Sequence, residues 1–430
     1  MAYQVPSHHG SVRGKLTLIL LVFLFSASAL VVPFARAQPT AMTITVRGAP
    51  QTLAYDSGKG EVFVVDLGPR GSVISDATDT VVANLTLPAG SIPQGAVYDS
   101  GRGEVFVADS GNAEVSVISD STNKVVANVG VGGTPDGVAY DPVKGEVFVA
   151  NGLDDTLSVI SDSNNTVVAT VTLPSGSSPQ GLAFDPANGE VLVADNGAEN
   201  VTVVSDSTNT VIANVLLEGT PTGLVYDSGK GEVFANDYGE GFSVISDASN
   251  AVVANGVLPA GGSVGQIAYD STKGDVIVAN YMSNTISVIS DSSNRVVANV
   301  TVGSAPYDVA YDSGKGEVFV ANSGSSTVSV VPNAALSSTT SSTSTTSSSA
   351  SAASSSSASI ATSASPSTTS TSIGTSSSPS TAPATSTAVP EFPYQFLVAV
   401  SFTILITASY LLVRRRGTAG DQSREAAAGV

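Results

Sequence analysis

Short apolar segments separated by turn-forming residues recur along most of the chain. Residues 137–173 show the pattern once, as "GVAYD", "GEVFVAN", "DTLSVISD" and "TVVATVTL", with Gly, Pro, Asp, Asn and Ser between the segments. Segments of this length, rich in Val, Ile, Phe and Thr, predict four β-strands. The second segment is continuously apolar after its Glu, which predicts a strand that is covered on both faces.

This four-strand pattern repeats seven times at a nearly fixed spacing. Each unit contains an aromatic residue followed by Asp, and a glycine stands five residues after every aromatic. The aromatics lie 42 to 44 residues apart, at Tyr55, Tyr98, Tyr140, Phe184, Tyr226, Tyr269 and Tyr311. Four strands in such a unit match one blade of a β-propeller. The sequence therefore predicts an all-β fold, a seven-bladed β-propeller over residues 42–336.

The first and last segments predict how the ring closes. The seventh unit stops after three strands, whereas "ITVRGAP" at 44–50 precedes the first aromatic as "VTVGSAP" at 300–306 precedes the last. We expect the N-terminal strand to supply the missing fourth strand of the seventh blade. Such a strand would leave no exposed edge at the seam.

The N-terminal residues predict export. Arg13 and Lys15 precede a long apolar run, and "ARA" at 35–37 is typical of a cleavage site, so residues 1–37 read as a signal peptide. Left uncleaved, the same segment would serve as an anchor.

The C-terminal residues predict attachment to a membrane. Residues 337–389 are almost entirely Ser, Thr and Ala, which predicts a disordered, O-glycosylated stalk. Residues 394–413 carry no charge and are long enough to form a transmembrane helix. The arginines at 414–416 then predict a cytoplasmic tail over 414–430, which puts the propeller on the cell surface, outside the membrane.

The repeat resembles a known family. The pattern "GEVFVAN", "TVSVISD", "TVVANVTVG" and "GVAYD" is similar to the YVTN β-propeller repeats of archaeal surface-layer and cell-surface proteins, and the resemblance covers all seven units. It implies a seven-bladed propeller displayed on a cell surface, and it implies no particular ligand. "PEFP" at 390–393 resembles the sorting signal of archaeal surface proteins, although fourteen residues follow Arg416.

The residue inventory argues against catalysis. The chain has no Cys and no Trp, and both histidines, His8 and His9, precede the apolar run of the leader. The predicted propeller thus lacks an imidazole base, a thiolate nucleophile and soft metal ligands. We expect a non-catalytic binding, adhesion or envelope-scaffold module. The alternatives are a self-associating surface-layer protein and a carboxylate- or Ca²⁺-dependent hydrolase or lyase.

Positions at which the blades differ predict where a ligand binds. Residues shared by every blade, such as the Asp after each aromatic, are explained by turn formation. The loops that join blades and the loops between second and third strands share one face, and both sets vary. At the mouth of the channel the joining loops place Gln51, Gln94, Asp136, Gln180, Thr222, Gly265 and Tyr307 at equivalent positions.

Acidic residues in the loops of this face complete the predicted ligand-binding surface. They are Asp66, Asp109, Asp154, Asp155, Asp195, Asp237 and Glu240, which join Asp136 and Tyr307. Carboxylates suit Ca²⁺, although no loop matches an EF-hand. The alternative to a binding site is sequence drift in solvated loops, which explains the same variation between blades.

Charge limits the partners. Residues 38–393 hold 10 basic and 34 acidic residues, a net charge of −24, which excludes nucleic acid and favours cations, surface proteins or glycans. Four sequons predict N-glycosylation, at Asn84, Asn164, Asn200 and Asn299.

Overall fold

The repeats fold into a ring of seven blades. The computed structural model describes residue 4 and residues 41–239, 241–259 and 264–336. In this part of the chain, 28 strands form seven four-stranded antiparallel sheets, and the first strand of each sheet contacts the first strands of its two neighbours. The predicted seven-bladed β-propeller is confirmed. The predicted leader, stalk, transmembrane helix and tail lie outside the described residues.

The strand bounds follow the sequence units closely. The first fourteen strands are β1 (Met42–Thr45), β2 (Pro50–Asp56), β3 (Glu61–Asp66), β4 (Arg70–Ser75), β5 (Thr80–Thr86), β6 (Pro93–Asp99), β7 (Glu104–Asp109), β8 (Glu114–Ser119), β9 (Lys124–Gly130), β10 (Pro135–Asp141), β11 (Glu146–Asn151), β12 (Thr156–Ser161), β13 (Thr166–Thr172) and β14 (Pro179–Asp185). The remaining strands are β15 (Glu190–Asp195), β16 (Asn200–Ser205), β17 (Thr210–Leu216), β18 (Pro221–Asp227), β19 (Glu232–Asp237), β20 (Gly241–Ser246), β21 (Ala251–Val257), β22 (Val264–Asp270), β23 (Asp275–Asn280), β24 (Thr285–Ser290), β25 (Arg295–Thr301), β26 (Pro306–Asp312), β27 (Glu317–Asn322) and β28 (Thr327–Pro332). A 3₁₀ helix, Asn333–Ala335, follows β28.

In the first six blades the strands lie in chain order from the central channel outwards. The seventh blade draws on both ends of the propeller, since its sheet runs β26, β27, β28 and β1. Met42 lies opposite Val330 and Thr45 lies opposite Thr327 in this antiparallel pair.

The second strand of each blade is the most buried. In β11, Val147, Phe148, Val149 and Ala150 are all fully buried. Phe148 packs with β15 of the next blade, and Val147 packs with β7 of the previous one. Cover on both faces therefore comes from the neighbouring blades, as the continuous apolar pattern predicts.

The Asp and Gly shared by every blade form one turn. In blade three, Asp141 Oδ1 accepts the N–H of Val143 at 2.8 Å, and Gly145 has φ +66°. A Cβ at Gly145 would also lie 2.6 Å from the carboxylate of Asp162. Only glycine satisfies both the left-handed conformation and the close approach.

The same face of the ring carries a repeated polar network between blades. The Lys144 ammonium lies 3.4 Å from Asp206 Oδ1 of the next blade and donates to the Asp206 carbonyl, while Tyr140 Oη donates to Asp162 at 3.4 Å. Blade four departs from the pattern, with Phe184 and Asn188 in place of Tyr and a basic residue. Because nearly every blade repeats these contacts, they explain stability rather than recognition.

Where blade seven meets blade one, a carboxylate replaces a repeated amide. In other blades the equivalent residue is an Asn with positive φ, and in blade three Asn165 Nδ2 donates to Glu104 Oε2 of the preceding blade at 3.5 Å. Here the residue is Asp79, with φ +53°. Burial and then the Asp79 charge raise the pKa of Glu317.

We expect Asp79→Asn to stabilise the propeller by about 0.5–1 kcal/mol, because it removes a like-charge contact and restores an amide donor. Thermal melting at pH 7 would show a rise of roughly 1–4 °C. The reverse exchange, Asn165→Asp, is the matched control and should lower the melting temperature. A lower melting temperature for Asp79→Asn would contradict this account.

Candidate functional site

The variable side chains of the first strands meet at one mouth of the channel. Gln94, Asp136, Gln180 and Tyr307 line a cavity of about 510 Å³. Asp136, Gln180, Thr222, Gly265 and Tyr307 line an adjoining cavity of about 330 Å³. Gln51 is buried, and its side chain hydrogen bonds with that of Tyr307. The structure thus brings the seven equivalent positions together around the channel.

An irregularity at the start of each first strand shapes this mouth. In blade three the register shifts between Pro135 and Val138, so Asp136 and Gly137 are not paired with β11. Bulges of this kind re-aim side chains. The first strands also approach closely, since a Cβ at Gly95 would lie 2.6 Å from the Asp136 carbonyl oxygen.

Asp136 lies where three cavities adjoin. It lines both upper cavities and a third of about 160 Å³ deeper in the channel. Burial within the channel raises its pKa to about 6. Its carboxylate accepts no hydrogen bond from the described residues, and no Lys, Arg or His among them lines these cavities. The mouth therefore presents one unpaired carboxylate among amides and hydroxyls.

Tyr307 supplies an aromatic wall beside Asp136. Burial, followed by the charges of Asp136 and Asp308, raises the pKa of Tyr307 to about 12, so its hydroxyl is a proton donor at neutral pH. Tyr281 packs edge-on against it, with ring centroids 6.3 Å apart. Tyr238 also lines the 330 Å³ cavity, and 65% of its surface is exposed.

One position deeper, three blades carry side chains where four carry glycine. The glycines are Gly95, Gly137, Gly181 and Gly223, and the side chains are Thr52, Gln266 and Asp308. Asp308 Oδ2 accepts the N–H of Leu53 at 2.7 Å and the hydroxyl of Thr52 at 3.0 Å, and Oδ1 accepts the N–H of Val309. This carboxylate joins blade seven to blade one.

Asn236, like Asp308, shapes the site and is not among the residues predicted from the sequence. It is fully buried in β19, where five of the other blades have Ala and one has Val. Its Oδ1 accepts the N–H of Gly223 at 2.6 Å and the hydroxyl of Thr222 at 3.1 Å, and its Nδ2 donates to the Gly265 carbonyl at 2.6 Å. Asn236 therefore fixes the backbones that form the cavity wall. Its signal in the sequence is a polar residue in an otherwise apolar segment.

Four of the predicted surface carboxylates are buried instead. Asp66, Asp109, Asp195 and Asp237 are the last residues of second strands, and at most 8% of the surface of each is exposed. The expectation that they lie in open loops is wrong. They pack under the loops that join blades, since a Cβ at Gly219 would lie 2.6 Å from the Asp237 carboxyl carbon.

Asp154 and Asp155 do lie on the predicted face, where they brace neighbouring loops. Asp154 Oδ2 accepts the N–H of Gly133 at 2.7 Å. Asp155 accepts the N–H groups of Gly176 and Ser178, and these bonds lower its pKa. Their carboxylates are therefore explained by loop structure. Glu240 lies outside the described residues.

The described residues contain no group of three or more His, Cys, Asp or Glu side chains that could hold a metal ion. The acidic loops are spread around the ring, so the carboxylates that suggested calcium do not converge there. In the same part of the chain, no helix is both long and apolar enough to cross a membrane.

Three of the four predicted glycosylation sites have exposed asparagines, Asn84, Asn164 and Asn299. The fourth sequon is enclosed, because Asn200 is only partly exposed and Thr202 is fully buried. A modifying enzyme would reach this sequon only before folding.

No known protein family and no curated protein matches this sequence. Solved structures do match the fold. A hydrazine synthase of Kuenenia stuttgartiensis aligns with a TM-score of 0.60 at 14% identity, over 70% of this chain and 98% of that one. A streptogramin B lyase aligns with a TM-score of 0.58 at 12% identity, over 67% of this chain and 96% of that one. At such identities the likeness shows the β-propeller fold, which this chain shares with both proteins.

Proposed function

We propose that the chain is a cell-surface binding module that takes its ligand at the variable mouth of the propeller channel. One observation carries the proposal. The blades are nearly identical in their turns and second strands, yet the channel-facing residues of the first strands diverge and line adjoining polar cavities. Divergence of residues that line a concave, polar site fits recognition better than support of the fold.

Binding is favoured over catalysis by the chemistry of the channel. Two carboxylates line its deeper cavity, Asp136 and Asp308. Both oxygens of Asp308 already accept hydrogen bonds, so one carboxylate is left for a reacting group. Acid–base catalysis usually needs a partner with a separate role, and no histidine or cysteine of the described residues is available.

Location is proposed from the sequence outside the propeller. The leader, the Ser/Thr-rich stalk and the apolar segment 394–413 support display on the outer side of a membrane. The YVTN-type repeat pattern supports the same location. On this proposal the propeller lies outside the membrane, and glycans on Asn84, Asn164 and Asn299 decorate the outer parts of the blades.

A self-associating structural role is the second candidate, and one observation favours it. The fourth strands expose about half of an apolar side chain in five blades, at Val82, Val126, Val168, Ile212 and Val253. Exposed apolar residues on edge strands are sites for association. Sedimentation of the full-length chain over a range of concentrations separates the candidates, because a binding module has no need to assemble.

The test of the proposed function changes Tyr307. Tyr307→Gln places at the mouth the residue that blades one, two and four already carry, so the fold should be unaffected. We expect the full-length protein to bind isolated envelope material about tenfold more weakly after the loss of an aromatic contact. Surface-plasmon resonance on immobilised envelope fractions measures the change.

Phe184→Tyr is the control for that experiment. It too installs the residue used by the other blades, but at the opposite mouth of the channel. Binding that is equally strong in both variants would mean that the variable mouth is not the binding site.

A further inference from the structure

Departures from the repeat concentrate in the channel wall of three consecutive blades. They are Thr222 and Asn236 in blade five, Gly265 and Gln266 in blade six, and Tyr307 and Asp308 in blade seven. Five of these six residues either line the 330 Å³ cavity or contact its wall directly. This cavity is therefore the most differentiated part of the ring.

The absence of a side chain at Gly265 makes room for the cavity. The six other blades carry Gln, Asp, Thr or Tyr at this position. Tyr238 and Tyr307 stand at its walls, and Gln180, Asn196 and Gln266 add three amides. A volume of about 330 Å³ is near the lower end of the roughly 300–1,000 Å³ found for small-molecule sites. The space suits one small group rather than an extended chain.

Asn236 shows that this wall is built rather than left by drift. A buried amide in an apolar strand is costly unless its hydrogen bonds are made. Here three bonds join the side chain to Thr222, Gly223 and Gly265, which belong to two blades. Asn236 stands where the other blades have a small apolar residue, and its hydrogen bonds hold the wall of the cavity in a fixed geometry.

The lining selects a class of ligand. Amides and hydroxyls both donate and accept hydrogen bonds, whereas the Asp136 carboxylate only accepts. No basic side chain of the described residues lines the cavity, so an anionic group has no counter-charge there. A compact cation would meet a single free carboxylate, since Asp308 is already bonded to blade one. A neutral group with several hydroxyls can hydrogen bond with the amides and donate to the Asp136 carboxylate. Its C–H groups can pack against the tyrosine rings.

We infer that the 330 Å³ cavity binds one residue of an uncharged saccharide, with Asp136 accepting from its hydroxyls and Tyr238 and Tyr307 packing on its C–H faces. This inference rests on the proposed function and names its ligand class. Asn236 is a positioning residue in this site, because it acts through the Thr222 hydroxyl and the backbones of Gly223 and Gly265.

The experiment is a screen of neutral and charged glycans, simple amines and Ca²⁺ against the full-length chain. The protein is kept in a polyoxyethylene detergent, because a glycoside detergent would compete for the site. We expect binding to at least one neutral glycan, weakened roughly ten- to a hundredfold by Asp136→Ala and about tenfold by Asn236→Ala. Phe184→Tyr should leave it unchanged.

Asp136→Asn separates the ligand classes. An amide oxygen still accepts from a hydroxyl, so saccharide binding should fall less than about tenfold, whereas binding of a cation should be lost. Binding of amines or Ca²⁺ alone, no binding of any neutral glycan, or glycan binding unchanged in Asp136→Ala would each overturn the inference. If envelope binding still depends on Tyr307 in those cases, the proposed function stands and only its ligand class is wrong.

Discussion

Gly256→Val should destabilise the propeller by about 3 kcal/mol or more, because overpacking of a filled core forces the backbone apart. Gly256 in β21 lies opposite Phe242 in β20, and a Cβ there would overlap the Phe242 ring. Five other blades use two side chains of medium size at this pair, such as Val115 and Val129. Urea or guanidinium unfolding followed by fluorescence or circular dichroism measures the loss.

The paired variant tests the cause. Adding Phe242→Val to Gly256→Val recreates the pair found in blade two, so it should recover most of the lost stability. Phe242→Val alone should itself be destabilising, because it leaves a cavity beside Phe234, whose ring lies 6.2 Å away. A double variant as unstable as the sum of the single ones would show that the two positions are not coupled.

Asp66→Asn should stabilise the protein by about 1–3 kcal/mol at pH 7. Neither carboxylate oxygen of Asp66 accepts a hydrogen bond from the described residues, and the nearby Ser72 hydroxyl is unpaired as well. Blade three carries Asn151 at the same position, and its Nδ2 donates to Ser158 at 3.0 Å. The amide of the variant can make the equivalent bond to Ser72.

The pH dependence of this effect has a definite sign. Burial raises the pKa of Asp66 to about 6, against 3.8 for an ordinary Asp, so the folded protein holds a proton that the unfolded chain has released. The free-energy cost of ionising Asp66 in the folded protein lowers stability at pH 7, and this cost disappears as the pH falls from about 6 to about 4. The advantage of Asp66→Asn should therefore shrink towards pH 4.

The wild-type protein should follow the same trend. Burial also raises the pKa values of Asp136, Asp195, Asp237 and Asp308 to about 6. We expect the melting temperature to be higher at pH 5 than at pH 7.5, with a smaller difference in Asp66→Asn. Asn151→Asp is the reverse control and should steepen the dependence. A melting temperature that is lower at pH 5 than at pH 7.5 would contradict the raised pKa values assigned to these buried carboxyl groups.

Much of the fold could be predicted because its causes repeat. Every blade has the same Asp and Gly in its first turn, an apolar second strand and nearly the same length. Because seven units agree, a chance strand-like pattern in one unit could not change the predicted fold. The channel mouth was also predictable, because Asp136 and Tyr307 stand at a position that differs between blades, whereas the turns and second strands are nearly the same in every blade.

The buried polar residues could not be placed in the same way. The sequence predicts Asp66 as the first residue of a loop, but it is the last residue of β3. A difference of one position decides whether a carboxylate faces solvent or the loop above it. Asn236 and Asp308 are not among the site residues predicted from the sequence. Their role depends on contacts with the next blade, which the repeat unit alone does not reveal.

The pairing of β1 with β28 has a consequence for synthesis on the ribosome. The two strands are separated by the whole propeller, so β1 leaves the ribosome long before its partner exists. At about 5–20 residues per second, the wait is roughly 15–60 s. During that time β1 is a strand of only four residues, shorter than the six- or seven-residue segments that form aggregates most readily. Its short length therefore suits a segment that must stay unpaired until the last blade is made.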